Sequence, residues 1–175
     1  MSTTNVCTTF TSNPQTVTVS INVPSNVSYG VTVTVNGGIA MALPATMTAN
    51  ANSALSLVYA CSGYSTTSQS VPSVGSAPTY TVPQVTMTGI ATLIQNGTIT
   101  FNPTPTAGSA TVVTIPVKNS GTGTFAAGTA GSLTLDGQPY SLTLSTALAA
   151  NGTANITQTV NIVNSGSISA CLSLY

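Results

Sequence analysis

The most conspicuous shortage in this chain of 175 residues is charge. It has one basic side chain, Lys118, one acidic side chain, Asp136, and no histidine. Ordinary soluble domains are about a quarter charged, whereas this chain is 1% charged. General acid–base catalysis depends on positioned histidine, carboxylate, lysine or similar groups, so we expect no catalytic residue and no enzymatic activity.

The same shortage argues against metals, cofactors and nucleic acid. A hard-cation site would have at most one carboxylate among its oxygen ligands. The three cysteines are too far apart for a CxxC metal or redox motif. Nucleic-acid binding draws affinity from many Lys and Arg contacts to phosphate, which one lysine cannot supply. We expect no metal site, no cofactor and no nucleic-acid partner.

Long hydrophobic runs are also lacking. The longest, such as Ile39–Leu43, fall far below the roughly 18 residues that a membrane-spanning helix needs, so we expect no membrane insertion. The first residues, MSTTNVCTTF, have neither the basic n-region nor the apolar h-region of a secretory signal. The numbering therefore begins at a processed end, or the chain is made without such a signal.

The polar residues that are present hydrogen-bond without titrating: Ser, Thr, Asn, Gln and Gly dominate. Acid denatures ordinary proteins mainly by protonating carboxylates that are paired in the native state. Here only Asp136 and the C-terminal carboxyl can take up protons, which favours an acidic exterior as the working environment. A net charge near zero promotes association, so we expect a homopolymer, covalently attached glycans, or both.

Period-two alternation of apolar and polar residues predicts an all-β fold of one or two Ig-like β-sandwich domains. It is clearest at Thr16–Val23, Val31–Val35 and Ile168–Leu174. We expect an N-terminal extension at 1–15, a first sandwich at 16–70, a Pro-rich connection at 71–83 and a second sandwich at 84–175. Type I′ hairpin turns are expected at Asn36-Gly37, Asn96-Gly97, Asp136-Gly137 and Asn151-Gly152.

Two kinds of covalent site are candidates. Asn-X-Ser/Thr acceptors for N-glycosylation stand at Asn26, Asn96, Asn151 and Asn155. The cysteines, Cys7, Cys61 and Cys171, predict one disulfide and one remaining thiol that could pair between subunits. Cys7–Cys61 is the first choice, Cys61–Cys171 the second, and three buried free thiols the alternative.

The two charged residues admit two interpretations. Bacterial adhesin and pilin sandwiches can carry internal Lys–Asn isopeptide bonds assisted by a buried acid, and Lys118 and Asp136 share one half of the chain. A weak surface ion pair between them is a separate alternative, ranked above the crosslink. The favoured interpretation is simpler. Asp136 opens an Asp-Gly turn, and Lys118 ends a strand facing solvent.

The lack of charge also leaves sheet edges without the lysines that normally block pairing with a neighbouring chain. Strand addition, in which one subunit's extended segment completes the next subunit's sheet, is therefore expected. The N-terminal segment 3–12 is the preferred donor, with Val6, Thr8 and Phe10 facing the groove. Residues 168–174 have a cleaner alternation but could equally be their own domain's last strand.

In composition the whole chain resembles surface proteins of thermoacidophilic archaea, above all the subunits of their extracellular thread-type filaments. That resemblance implies glycosylated β-sandwich subunits, joined head to tail by donor-strand complementation in a cell-surface filament. The stretch IPVKNSGTGTF at 115–125 also resembles the strand-turn of Ig-like surface domains.

Two alternatives remain open. The signal-free N-terminus favours a turret, spike or vertex protein on the virion of an archaeal virus from the same acidic habitat. A carbohydrate-binding adhesin module is the third possibility. High temperature is not indicated, because hyperthermophile proteins usually gain charged residues and lose asparagine.

Overall fold

The computed structural model describes residues 15–164 and 169–175, and the fold is all-β. Within these ranges the chain forms fourteen strands and no helix. It follows that no described helix is long and apolar enough to cross a membrane. The all-β class predicted from the alternation of apolar and β-branched residues is confirmed.

The chain divides into two compact units. Unit 1 holds the described residues up to Cys61 together with Thr66–Met87. Its seven strands form a three-stranded sheet in the order β4-β1-β7, where β1 and β7 run parallel, and a four-stranded antiparallel sheet in the order β3-β2-β5-β6. The strands are β1 (Thr16–Ile21), β2 (Thr32–Val35), β3 (Ala40–Ala42), β4 (Ala45–Asn50), β5 (Leu55–Ala60), β6 (Thr67–Val71) and β7 (Thr79–Thr81).

Alternation along the strands builds the interior of unit 1. On β1, Val17, Val19 and Ile21 are buried while Thr16 and Thr18 are exposed. The same phase on β2 and β5 buries their valine, leucine and tyrosine side chains. β-Branched residues suit this half-buried pleat, which explains why Val and Thr carry most of it.

The residues expected to connect two domains, 71–83, belong to unit 1. They contain β7, which pairs with β1 in register from Thr18↔Thr79 to Ser20↔Thr81. Val71, Val74 and Val82 are buried. Proline is tolerated in loops and beside edge strands, so a Pro-rich stretch can still contribute apolar side chains to an interior.

Unit 2 holds Ser62–Ser65 and the described part of Thr88–Tyr175. One sheet has the order β13-β10-β8, with β9 also paired to β10, and the other has the order β12-β11-β14. The strands are β8 (Leu93–Gln95), β9 (Thr100–Asn102), β10 (Ala110–Asn119), β11 (Gly128–Leu135), β12 (Gln138–Leu144), β13 (Thr153–Asn161) and β14 (Ala170–Leu174).

One buried cluster takes side chains from both sheets of unit 2, as expected of a β-sandwich. Val113, Ile115 and Val117 of β10 meet Leu133 of β11 and Ile156 of β13 there, each 1% exposed or less. The sequence left the segment 168–174 open as a donor strand or as the last strand of its own domain, and its residues 170–174 form β14. It pairs with β11 of its own unit, and Leu172 and Leu174 pack against the cluster.

Two of the four expected hairpin turns form as predicted. Asn36 and Gly37 join β2 to β3 with φ of 51° and 72°, and Asp136 and Gly137 join β11 to β12 with φ of 51° and 77°. Positive φ at both central positions is the mark of a type I′ turn.

The other two Asn-Gly pairs, Asn96-Gly97 and Asn151-Gly152, do not form hairpin turns. β8 and β9 both pair with β10 along the same side, so Asn96-Gly97 interrupts one strand rather than reversing it. The interruption lies opposite Pro116, which has no N–H to donate to the ladder; the Asn96 N–H still donates to its carbonyl, at 2.8 Å. Asn151-Gly152 lies in a turn leading into β13, which is in a different sheet from β12.

Candidate functional site

The polar centre of unit 2 is the side chain of Asn119, which is 0% exposed. Its Oδ1 accepts from the backbone N–H of Thr92, at 3.2 Å, and of Gly121, at 3.1 Å. Its Nδ2 donates to the carbonyls of Gly123, at 2.7 Å, and Leu148, at 2.9 Å. One neutral amide thus satisfies four backbone groups of three separate loops.

Asn119 was not singled out from the sequence, although a signal for it exists. It continues the inward-facing phase of β10 after Val113, Ile115 and Val117. Thr111 starts the same phase, is 2% exposed, and donates its hydroxyl to the Pro103 carbonyl. Buried polar groups need partners, so a polar residue on the inward phase of a strand indicates a structural hydrogen-bond node.

The loop after Asn119 packs directly on the segment that precedes β8. The N–H groups of Thr122 and Gly123 donate to the Ile90 carbonyl, at 2.9 and 3.1 Å. A Cβ on Gly123 would lie 2.7 Å from the carbonyl carbon of Gly89, and one on Gly121 would lie 2.7 Å from the Thr92 nitrogen. The stretch SGTG at 120–123 therefore needs its glycines because its backbone lies directly against the backbone of residues 89–92.

Lys118 and Asp136 are both described, and no salt bridge joins them. Lys118 lies on β10 opposite Thr153 and Ile94. The Asp136 carboxylate accepts instead from Asn164, through its Nδ2 at 2.6 Å and its backbone N–H at 3.3 Å. The less favoured alternative of an ion pair is thus not formed, and the arrangement offers no basis for a Lys118 isopeptide assisted by Asp136. The simpler interpretation of Asp136 as a turn residue fits its φ of 51°.

Of the three cysteines, Cys7 lies outside the described residues. Cys61 lies in unit 1 and is partly exposed, and Cys171 lies in unit 2 and is exposed. The alternative of fully buried thiols fails for these two, and the second-choice Cys61–Cys171 disulfide stays a prediction. A bond to Cys7 or between subunits stays a prediction.

The four candidate glycosylation sites differ in whether the side-chain amide of the asparagine is already hydrogen-bonded within the protein. Asn26 is engaged in both directions with the Met87 backbone: its Nδ2 donates to the carbonyl at 2.7 Å, and its Oδ1 accepts from the N–H at 3.0 Å. A glycan on this nitrogen would disturb the pair. The structure gives Asn26 the role of a structural amide, which makes it the poorest acceptor of the four.

The remaining acceptors, Asn96, Asn151 and Asn155, are exposed and belong to unit 2. Asn96 and Asn155 flank Pro116 on neighbouring strands and line one open depression of about 340 Å³. Asn151 has a φ of 61° in the turn before β13. Accessible asparagines in turns and on strand surfaces suit a modifying enzyme, so these three stay candidates.

The donor-strand candidates Val6, Thr8 and Phe10 lie outside the described residues. The described strands do include an unprotected sheet edge. β13, with nine residues, ends its sheet, and none of those residues is charged or is proline. The edge protection by lysine that sheets ordinarily use is missing there, as the composition predicted.

The pKa of one aromatic side chain, Tyr59, is shifted by its surroundings. Tyr59 of β5 is 1% exposed, and its hydroxyl donates to Oε1 of Gln69 on β6, at 2.8 Å. Burial raises the pKa of the Tyr59 phenol above its ordinary value of 10.0. The effect stabilises the neutral form, in keeping with an interior held together by uncharged groups.

Comparison with protein-family models, with curated proteins and with solved structures finds no match for this chain.

Proposed function

We propose that the protein is a non-enzymatic structural subunit of an acid-resistant extracellular filament, which polymerises head to tail by β-strand donation. The observation that carries the proposal is the neutrality of its hydrogen bonding. Amides and hydroxyls fill the structural roles at Asn119, Thr111 and Asn26. Among the described side-chain hydrogen bonds, only those of Asp136 involve a carboxylate.

This neutrality supports an acidic environment because protonation would remove almost no interaction. Acid unfolding follows from carboxylates that are paired or hydrogen-bonded in the native state. Here that set is reduced to one side chain on an exposed turn. A chain whose surface is hydroxyl and amide also lacks the charge that keeps single molecules dispersed, which favours a subunit of an assembly over a free monomer.

Strand donation is supported by the edges and by β14. Because β14 pairs with β11 of its own unit, it is not available as the donor, and the N-terminal segment 3–12 remains the candidate. Sheet edges without charged residues are open to backbone pairing with a donor strand. A donor that enters the next subunit forms a heterologous contact, which propagates into a filament when it does not close into a ring.

The acid half of the proposal is tested by urea unfolding of the purified chain at pH values from about 2 to about 7, which span carboxylate titration. We expect a nearly constant midpoint. The Asp136→Asn variant is the matched control, because asparagine also tolerates the positive φ of the turn; it should remove what little acid response remains. A wild-type midpoint that collapses below pH 4 would reject acid resistance.

The assembly half is tested by electron microscopy of particles formed by the wild type and by Phe10→Asp. A charge on the groove-facing side of the donor should abolish filaments, while Thr9→Asp, on the opposite side of the segment, should leave them. Filaments that persist in Phe10→Asp would overturn N-terminal donation. Icosahedral particles or vertices would favour the virion protein, and saturable glycan binding by monomers the adhesin.

A further inference from the structure

The outer edge of strand β13 is unpaired and can pair with a copy of itself. We take this edge to be separate from the one that receives a donor strand. On its inner side, β13 pairs with β10 over its whole length, from Lys118↔Thr153 to Ala110↔Asn161. In the part of the chain that the structure describes, no strand lies on its other side. With nine residues, it is the longest edge strand of the described sheets.

The direction of its backbone groups follows from the bonds at its two ends. The Asn119 N–H donates to the carbonyl of Gly152, at 3.0 Å, and the Ile162 N–H donates to Ser109, at 3.2 Å. The even-numbered residues of β13 therefore direct their backbone N–H and C=O groups toward β10. Because hydrogen-bonding direction alternates along a strand, the odd-numbered residues of β13 direct their N–H and C=O groups outward.

Most of this outward row is open. At its end, Asn161 is already engaged, since its N–H donates to the Tyr140 hydroxyl at 3.3 Å and its carbonyl accepts from it at 3.2 Å. The Thr159 carbonyl accepts from Nε2 of Gln158 at 2.9 Å, but a carbonyl has a second lone pair. Four outward-facing residues are thus left for pairing: Thr153, Asn155, Thr157 and Thr159.

Some other edge strands in the described part of the chain carry features that discourage pairing, whereas β4, β6 and β14 are unprotected but only five or six residues long. β3 and β7 are three residues long, and β12 contains Pro139. Short edges and proline are ordinary protections against edge-to-edge association. β13 has neither, and it lacks charge, proline and glycine altogether.

We propose that β13 is an interaction surface for β13 of a second copy of this chain, with the two strands antiparallel about a two-fold axis at Ile156. This register pairs all four open residues, Thr153 with Thr159 and Asn155 with Thr157 of the other copy. Each is a hydrogen-bonded pair, and the facing side chains are exposed hydroxyls and amides. Cross-strand polar pairs of this kind are favourable, and no like charges oppose the contact.

Such a contact is isologous, because the same residues serve on both sides. It joins two subunits side by side and extends one sheet across both. It is independent of head-to-tail polymerisation, which proceeds through a different segment. Lateral pairing of subunits or of whole filaments is its structural consequence.

The register is tested by disulfide trapping in a full-length background with Cys7, Cys61 and Cys171 replaced by serine, produced without glycosylation. Asn155→Cys and Thr157→Cys chains are mixed and oxidised. Hydrogen-bonded antiparallel pairs have Cα atoms about 5.5 Å apart, which suits a disulfide. We expect the mixture to form a 155–157 dimer roughly tenfold faster than either variant alone, since like positions lie one pair out of register.

Equal cross-linking in the mixture and in the single variants would overturn the pairing, as would no cross-linking in chains that unfold at the wild-type urea midpoint. The readout is a dimer on a denaturing gel, so it is distinguishable from filament formation. Failure of Phe10→Asp to abolish filaments would leave this result untouched.

A second measurement avoids cysteine altogether. Thr157→Lys places a charge on the outward row, and edge lysines discourage strand pairing. We expect the self-association constant, measured by sedimentation, to fall at least about tenfold. Thr18→Lys adds the same charge to an exposed position on the central strand β1 and should leave this constant unchanged. Equal association of both variants and the wild type would contradict the proposal.

Discussion

At the scale of single residues, this protein replaces ionic interactions with neutral amides. Asn119 holds four backbone groups, Asn26 pairs with Met87, and Tyr59 keeps its proton through burial. A buried amide avoids the desolvation cost of a buried ion. The residues that matter most for the fold are therefore asparagine, threonine and tyrosine at inward-facing positions.

Asn119→Asp tests the central amide. The new carboxylate would face the carbonyl oxygens of Gly123 and Leu148, so we expect a loss of about 3 kcal/mol or more at neutral pH. Burial raises the pKa of this aspartate above its unfolded value of about 3.9. The stability is therefore recovered as pH falls through the raised pKa, and is complete only below the unfolded one.

The measurement is urea unfolding of Asn119→Asp between neutral and acidic pH. Asn155→Asp, an exposed position in the same unit, is the control and should show little change at any pH. A variant at position 119 as stable as the wild type at neutral pH would contradict the assigned role.

Tyr59 gives a pH dependence of the same sign as Asn119→Asp, but in the alkaline range. Because burial raises its pKa, the neutral phenol contributes stability that is fully present below the ordinary tyrosine value of about 10. That stability is lost as pH rises from there through the folded-state pKa. Tyr59→Phe should lose about 1 kcal/mol at neutral pH with the Gln69 hydrogen bond.

Unfolding of Tyr59→Phe compared with the wild type between pH about 8 and about 11 checks this. The difference between the two proteins should shrink or reverse at the alkaline end. Parallel curves would mean that another group controls the alkaline transition. Tyr29→Phe, at an exposed tyrosine, is the control and should follow the wild type.

At the scale of elements, alternation and turn chemistry account for much of the fold. Strands β1, β2, β13 and β14 follow predicted period-two segments, and Asn36-Gly37 and Asp136-Gly137 are the expected hairpins. Asn96-Gly97 was predicted wrongly because the pattern shows local turn preference and not the partner strand. Only the position of Pro116 in β10 explains why the chain there interrupts a strand instead of reversing.

The contact between the 120–123 loop and the segment before β8 is tested by Gly123→Ala. The added methyl would meet the Gly89 backbone, which cannot move without breaking its neighbours' hydrogen bonds, so we expect a loss of about 3 kcal/mol or more. Gly108→Ala is the control. Its φ is 77° with nothing near the new Cβ, so it should lose only the conformational term of about 1–2 kcal/mol.

Unfolding in urea of both variants provides the comparison. The reverse order, with position 108 the more sensitive, would show that the close approach at Gly123 relaxes at little cost. The SGTG stretch shows why sequence alone missed this contact. Glycine there looks like loop flexibility, and only the three-dimensional neighbour reveals a steric requirement.

At the scale of the whole molecule, the two compact units share one principle, sheets with almost no charge and with hydroxyl-bearing outer faces. These units divide the chain differently from the predicted domains 16–70 and 84–175. Residues 71–83 carry buried valines and a strand, while Ser62–Ser65 group with unit 2. Composition cannot reveal that these four residues belong to unit 2, since the stretch SGYS between β5 and β6 resembles any loop.

A molecule with one lysine and one aspartate, which form no salt bridge with each other, should be insensitive to salt. We expect the melting temperature to change by less than about 2 °C, or under about 1 kcal/mol, when sodium chloride rises from about 0.05 to about 1 M, where the Debye length is about 3 Å. The measurement is thermal unfolding at one protein concentration. A large shift would reveal electrostatic interactions that Lys118 and Asp136 do not provide.

The exposed asparagine–glycine turns have a consequence for the lifetime of the protein. Glycine after asparagine leaves the next backbone nitrogen free to attack the side-chain amide, a slow reaction that releases ammonia and leaves an acid. Asn36 and Asn151 are exposed to this chemistry, whereas the Asn119 amide is clamped at both ends. As the protein ages, new negative charge would collect at turn tips, and electrophoretic mobility would record the age of each chain.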